Sequence, residues 1–63
     1  MKRTIKGIRA DLGLKQEEMA KILGISVVAY NKKEKGIISL KANELVKICK
    51  LANIKDVTEI ELP

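Results

Sequence analysis

Apolar residues recur along this chain at spacings of three and four, and the rhythm breaks at Gly13, Gly24 and Gly36, which predicts a series of short helices. Ile5, Ile8 and Leu12 share one face of the first, with Thr4 placed to cap it and Gly13 to end it. Gly7 inside that helix carries a penalty of about 1 kcal/mol relative to alanine. Two readings of it stay open: a neighbouring helix approaches closely there, or the first turn frays. A second helix is predicted over Gln16 to Leu23, with Met19, Ala20 and Leu23 on one side and Lys15, Glu17, Glu18 and Lys21 mostly on the other. Gly24 supplies a residue able to take positive φ, Ile25 is apolar, and Ser26 offers an oxygen to the free N–H groups of a third helix. That helix is predicted over Val27 to Lys35, with Ala29 and Tyr30 inward and Gly36 as its stop.

After a connection at Ile37 and Ile38, Ser39 is placed to cap a longer helix whose apolar stripe is Ala42, Leu45, Val46, Ile48, Cys49 and Ala52. Asn53 suits a left-handed stop, with Ile54 folding back behind it. The tail from Lys55 to Pro63 is ambiguous. Asp56 and Glu59 stand at capping-box spacing, whereas Thr58, Ile60 and Leu62 alternate as a strand does; one helical turn is the preferred reading. The expected fold is all-α, a bundle of four to five short helices forming a single domain over residues 1–63, without repeats or linker-like composition.

Size and charge narrow the function. A chain of 63 residues buries a small core, and one without histidine or tryptophan lacks several of the usual catalytic and stacking side chains. No nucleophile–base pair, metal cluster or phosphate-cradling glycine loop can be assembled, so the expectation is a binding module with no enzymatic activity, metal or cofactor. The net charge is +5, but Asp56, Glu59 and Glu61 follow the last basic residue. Residues 1–55 therefore set thirteen basic residues against five acidic, a net +8, and nucleic acid is the commonest partner of such a charge. Cys49 is the only cysteine, which excludes an intrachain disulfide and suits a reducing compartment; it reads as a small core residue. The stretch Met1-Lys2-Arg3-Thr4 leads into an amphipathic segment rather than an apolar one, and no run approaches the ~20 residues of a membrane span. A cytoplasmic protein without membrane attachment is expected.

The segment Gln16 to Lys35 carries the strongest signal. Two helices crossing sharply need a small residue where they touch (Ala20), a permissive residue between them (Gly24) and bulky anchors (Met19, Leu23, Ile25 and Tyr30). With Ile5-Lys6, Ile8-Arg9, the run Gly13-Leu14-Lys15-Gln16-Glu17-Glu18-Met19-Ala20, Leu23-Gly24-Ile25-Ser26, Glu34-Lys35-Gly36 and Leu45-Val46-Lys47-Ile48, the chain resembles the phage-repressor and Cro family of helix-turn-helix domains, the XRE type, from about Ile5 to Ile54.

The resemblance implies duplex DNA as the partner, with the third helix in the major groove and regulation of transcription, most simply by repression. It implies that Gln16 binds a phosphate through its backbone N–H and side chain, that Arg9 and Glu34 form a partly buried structural ion pair, and that Ser26, Val27, Val28, Asn31 and Lys32 face the bases. Lys15 and Lys35 are expected near phosphates. The chain departs from the family pattern at several places. Val27 and Val28 replace polar side chains and can touch only thymine methyls, so selectivity leans on Asn31, Lys32 and DNA shape. Lys15 stands where a Ser or Thr cap is usual. Lys33 replaces a large hydrophobe and is expected to snorkel or to reach a phosphate. Leu40 replaces a proline and should loosen the turn before the fourth helix. The family resemblance also implies a homodimer on a near-palindromic site, with an exposed Ile60 and Leu62 in the tail as its expected interface. An alternative reading makes the Val27/Val28 face a docking surface of a protein-interaction module, an antitoxin or a modulator pairing with another repressor.

Overall fold

The computed structural model describes residues 2–63, so Met1 of the basic N-terminal stretch lies outside it. Four helices, α1 (Ile5–Asp11), α2 (Gln16–Leu23), α3 (Val27–Lys35) and α4 (Ala42–Ala52), are followed by a 3-10 turn at Val57–Glu59. Two-residue strands β1 (Arg3–Thr4) and β2 (Ile60–Glu61) pair in parallel, Arg3 opposite Ile60 and Thr4 opposite Glu61. The all-α bundle is as the spacing predicts, with this small clasp added.

Local chemistry explains the boundaries. The Thr4 hydroxyl accepts from the Gly7 N–H at 3.0 Å and caps α1. It also accounts for Gly7, because a Cβ there would lie 3.0 Å from that same oxygen. The space is filled by the cap rather than by another helix. Gly24 and Gly36 close α2 and α3 at φ 72° and 82°, and Asn53 closes α4 at φ 56°. Ile54 folds back as expected: its N–H donates to the Cys49 carbonyl at 2.8 Å, and its side chain is buried.

The start of α4 differs from the sequence reading. Ser39 is not its cap; the helix begins after Lys41, whose backbone N–H donates to Glu44 Oε1 at 2.8 Å. A carboxylate one turn into the helix closes it at Lys41, two residues later than a serine cap at position 39 would. Val46 and Ala42 belong to the apolar stripe by spacing, yet both are exposed, while Glu44 is buried.

The core comprises Ile5 and Ile8 of α1, Met19, Ala20 and Leu23 of α2, Tyr30 of α3, Ile48 of α4, and Ile54 and Ile60 beyond it. Each fully buried large apolar side chain is worth about 1.5–3 kcal/mol. Ile60 is only 5% exposed, so it cannot serve in an exposed dimer interface; only Leu62 of that expected pair is exposed. The tail reading was half right. Asp56 does cap a single turn, accepting from Thr58 N–H at 3.0 Å, but the turn serves to drop Ile60 into the core beside β1. A pairing between segments more than fifty positions apart leaves no local trace in Arg3–Thr4.

Candidate nucleic-acid interface

The α2–α3 corner is built from three adjacent residues. Gly24 in the left-handed region lets the Ile25 N–H return to the Ala20 carbonyl at 3.0 Å, and half-buried Ile25 packs on the core. Ser26 is extended and its Oγ accepts from Ala29 N–H at 3.1 Å, which starts α3. Buried Ala20 keeps the crossing close, and fully buried Tyr30 pins the middle of α3. At the start of α2, the Lys15 side chain accepts no bond. Its backbone N–H donates to Glu18 Oε1 at 2.9 Å, so the helix keeps the returning half of a capping box without the Ser or Thr cap.

With Tyr30 inward, α3 turns Ser26, Val27, Val28, Lys32 and Lys35 to solvent, and Asn31 lies half-buried at the edge of that face. Val28 is 62% exposed and Val27 39%. Lys33 does neither of the things expected of it. It is buried, and its Nζ donates to both Glu44 oxygens, at 2.6 and 2.7 Å, rather than snorkelling or reaching outward. The pairing follows from position: Lys33 sits one turn from Tyr30 on the inner side of α3, and Glu44 one turn before Ile48 on the inner side of α4. Two opposite charges at inward positions are the sequence signal that the spacing analysis missed. Burial pushes the Glu44 carboxyl up, but the hydrogen bonds from Lys33 and from Lys41 N–H outweigh it and hold it below the ordinary carboxylate range.

On the other side of α3, Arg9 of α1 reaches Glu34. Arg9 Nε donates to Oε2 at 2.9 Å and Nη2 to Oε1 at 3.3 Å, while Nη1 donates to the Leu14 carbonyl at 2.9 Å. The Tyr30 hydroxyl donates to Glu34 Oε2 at 2.5 Å and Gln16 Nε2 to Oε1 at 3.1 Å. Burial again pushes the carboxyl up, and the bonds from Arg9, Tyr30 and Gln16 together hold Glu34 below its ordinary value. The Tyr30 hydroxyl is pushed up, first by burial and then by the carboxylate it serves. Gln16 is thus not free for a phosphate alone, since its Oε1 also accepts from Asn31 Nδ2 at 3.3 Å. Gln16 of α2 and Asn31 of α3 thus join a chain of bonds that runs through Glu34 back to Arg9 of α1.

The surface electrostatics follow from these pairs. Arg3–Asp11, Arg9–Glu34 and Lys33–Glu44 use three of the five acids before position 56. Among the described residues up to 55, ten exposed lysines are left facing only Glu17 and Glu18. Such a surface draws in a polyanion. No helix among the described residues is long and apolar enough to cross a membrane.

The family described as helix-turn-helix matches residues 5–60, nearly the whole chain and all four helices. The chain belongs to this helix-turn-helix family, of the XRE type. Neither the curated proteins nor the solved structures give a match to it. Within this helix-turn-helix domain, α2 and α3 are joined by the turn from Gly24 to Ser26. A domain of this family is a DNA-binding regulator.

Proposed function

We propose that this helix-turn-helix domain is a sequence-selective repressor, Cro-like in mode, that reads the major groove with α3 and hinders transcription by occupying the site. The motif spans residues 16–35, and the observation that carries the reading is the outer face of α3: Val27, Val28, Asn31 and Lys32 gathered on one side of a helix held to α1, α2 and α4. In this reading Val27 and Val28 contact thymine methyls, Asn31 and Lys32 contact base edges, and Ser26 begins the approach. Gln16 N–H, Lys15 and Lys35 meet phosphates. The protein acts in the cytoplasm, where its DNA target lies.

Fluorescence anisotropy with promoter duplex and with random duplex, each across a salt series, tests this. Tighter binding to promoter DNA at every salt supports it, with log affinity falling by about 0.9 per phosphate contact for each decade of salt. Absence of binding to either duplex at low salt sinks it. A specific observation favours a second reading: Val28 and Val27 are exposed apolar side chains beside lysine, which suits an antitoxin or a modulator of another repressor. That reading gains if Val28→Asp leaves duplex binding intact.

A homodimer is part of the proposal, because two copies on a near-palindrome multiply selectivity. With Ile60 in the core, its interface is assigned to the open groove between α4 and the 3-10 turn. Leu45, Val46, Cys49 and Val57 give it an apolar floor, and Lys50, Lys55 and Asp56 a mixed rim. Sedimentation of Val46→Asp and Val57→Asp tests it: weakened self-association supports the groove, and unchanged dimerisation by both removes it.

A further inference from the structure

Resting on the DNA reading above, we propose that Leu62 and Pro63 are positioning residues of the reading helix: as a strap from the tail, they lock the last turn of α3 and so hold Lys35 in place for a phosphate.

Three helices, α2, α3 and α4, end on a left-handed residue followed by isoleucine. After Gly24 the Ile25 N–H donates to the Ala20 carbonyl at 3.0 Å, after Asn53 that of Ile54 donates to Cys49 at 2.8 Å, and after Gly36 that of Ile37 donates to Lys32 at 2.9 Å. A stop of this kind is commonly locked by an apolar contact from the residue that makes the bond. Ile25 and Ile54 supply it by packing on the core. Ile37 does not, for it is 66% exposed, and Ile38 behind it is 40% exposed. The same backbone motif therefore closes α3 without a lock from the residue that follows it.

The tail fills that place. The register of β2 on β1 buries Ile60 and carries the chain on to Gly36, where a Cβ would lie 3.0 Å from Pro63 Cβ and 3.2 Å from the Pro63 carbonyl carbon. Leu62 and Pro63 form the ridge between two hollows; Lys33, Ile38 and Leu40 border one, and Thr4, Lys6 and Glu34 the other. The tail thus crosses the last turn of α3 between the two residues that tie this helix to α4 and α1. Gly36 serves it twice, by its positive φ and by the side chain it lacks. Lys35 immediately precedes that stop and is exposed, so the direction of its ammonium group depends on the turn staying wound.

The double change Leu62→Ser with Pro63→Gly keeps Ile60 and the strand pairing and loosens only the strap. Amide hydrogen exchange of Gly36 and Ile37 is expected to quicken by roughly 3- to 10-fold, the worth of a half-buried leucine, while Ile25 and Ile54 keep their rates. Unchanged rates at Gly36 and Ile37, or an equal rise at all four amides, overturn the strap. Gly36→Ala gives a second check against Gly13→Ala, because the latter pays the left-handed cost, roughly 5- to 30-fold in the folded-to-unfolded ratio, with nothing within 4 Å of its new methyl. Gly36→Ala is expected to lose about twofold or more beyond that, and the excess to vanish in the loosened chain. Equal costs in the unaltered chain also overturn it. In duplex binding across a salt series, the loosened chain should show a log–log slope shallower by about 0.9, one phosphate contact, which a loss of stability alone does not produce. An unchanged slope beside quickened exchange removes the positioning of Lys35. Failure of the unaltered chain to bind any duplex removes the DNA reading and that positioning together, whereas exchange at Gly36 and Ile37 still decides whether the tail locks α3.

Discussion

Residues 33 and 34 are neighbours of opposite charge on α3, and each is tied to an opposite flank of the domain in a different way. Lys33 and Glu44 form a closed pair, their side chains 7% and 3% exposed, and among the described residues the only further bond of either side chain is from the Lys41 backbone N–H just before α4. Glu34 is the hub of an open network. It takes bonds from Arg9, Tyr30 and Gln16, and through Gln16 it reaches Asn31 on the candidate DNA face. The closed pair holds α3 against α4 and starts α4, whereas the open one reaches the outer face of α3.

Breaking the closed pair on one side is expected to have the largest effect. Glu44→Ala leaves the Lys33 cation buried without its partner and should lower stability by about 3–5 kcal/mol in urea unfolding. The double change Lys33→Met with Glu44→Leu should instead recover most of that loss, short only of the roughly 1 kcal/mol that the Glu44 bond to Lys41 N–H contributes to starting α4, with DNA affinity kept. A double variant as unstable as Glu44→Ala would show that the pair does more than fill space. Arg9→Ala is next, at about 2–3 kcal/mol, because Tyr30 and Gln16 still donate to Glu34 after the guanidinium is gone. Unlike the double variant it should also weaken selectivity between duplexes, which anisotropy would register.

Acid probes both carboxylates at once. Glu34 and Glu44 have folded-state values below the ordinary range, so their contribution is present above the unfolded-state value of about 4.3 and is lost as pH falls below it through the folded values. Melting temperature should therefore drop on that acid limb, and the Lys33→Met, Glu44→Leu variant should drop less steeply. Equal slopes would mean that Glu44 contributes nothing there. The smallest effect belongs to Tyr30→Phe, which removes one donor from Glu34 but keeps the buried ring, at about 1–2 kcal/mol by thermal melting.

The parts of this molecule that were legible in advance are those written in local chemistry. Gly24, Ser26 and Gly36 bound α2 and α3 at the residues expected, because a left-handed stop and a hydroxyl cap act within one turn. The residues expected on the outer face of α3 come from the family resemblance, and the inward turn of Tyr30 accords with the exposure of Val27, Val28 and Lys32. What escaped was non-local. The β1–β2 clasp pairs Arg3–Thr4 with Ile60–Glu61, and its register buries Ile60, which the reading of the tail as a dimer interface has exposed. The start of α4 was misplaced because Ser39 is the better cap by type, while Glu44 caps by position. The Lys33–Glu44 pair was hidden because each residue taken alone reads as a solvent-facing charge. The link from Gln16 to Asn31 was likewise invisible, since it depends on how α2 and α3 cross.

Titration of the isotope-labelled protein with promoter duplex, followed by amide chemical shifts, tests the role of α3 most directly. Shifts concentrated at Gln16 and from Ser26 to Lys35, with side-chain changes at Gln16 and Asn31, are expected. Shifts confined to the α4 groove, or none at saturating duplex, would contradict major-groove reading by this helix.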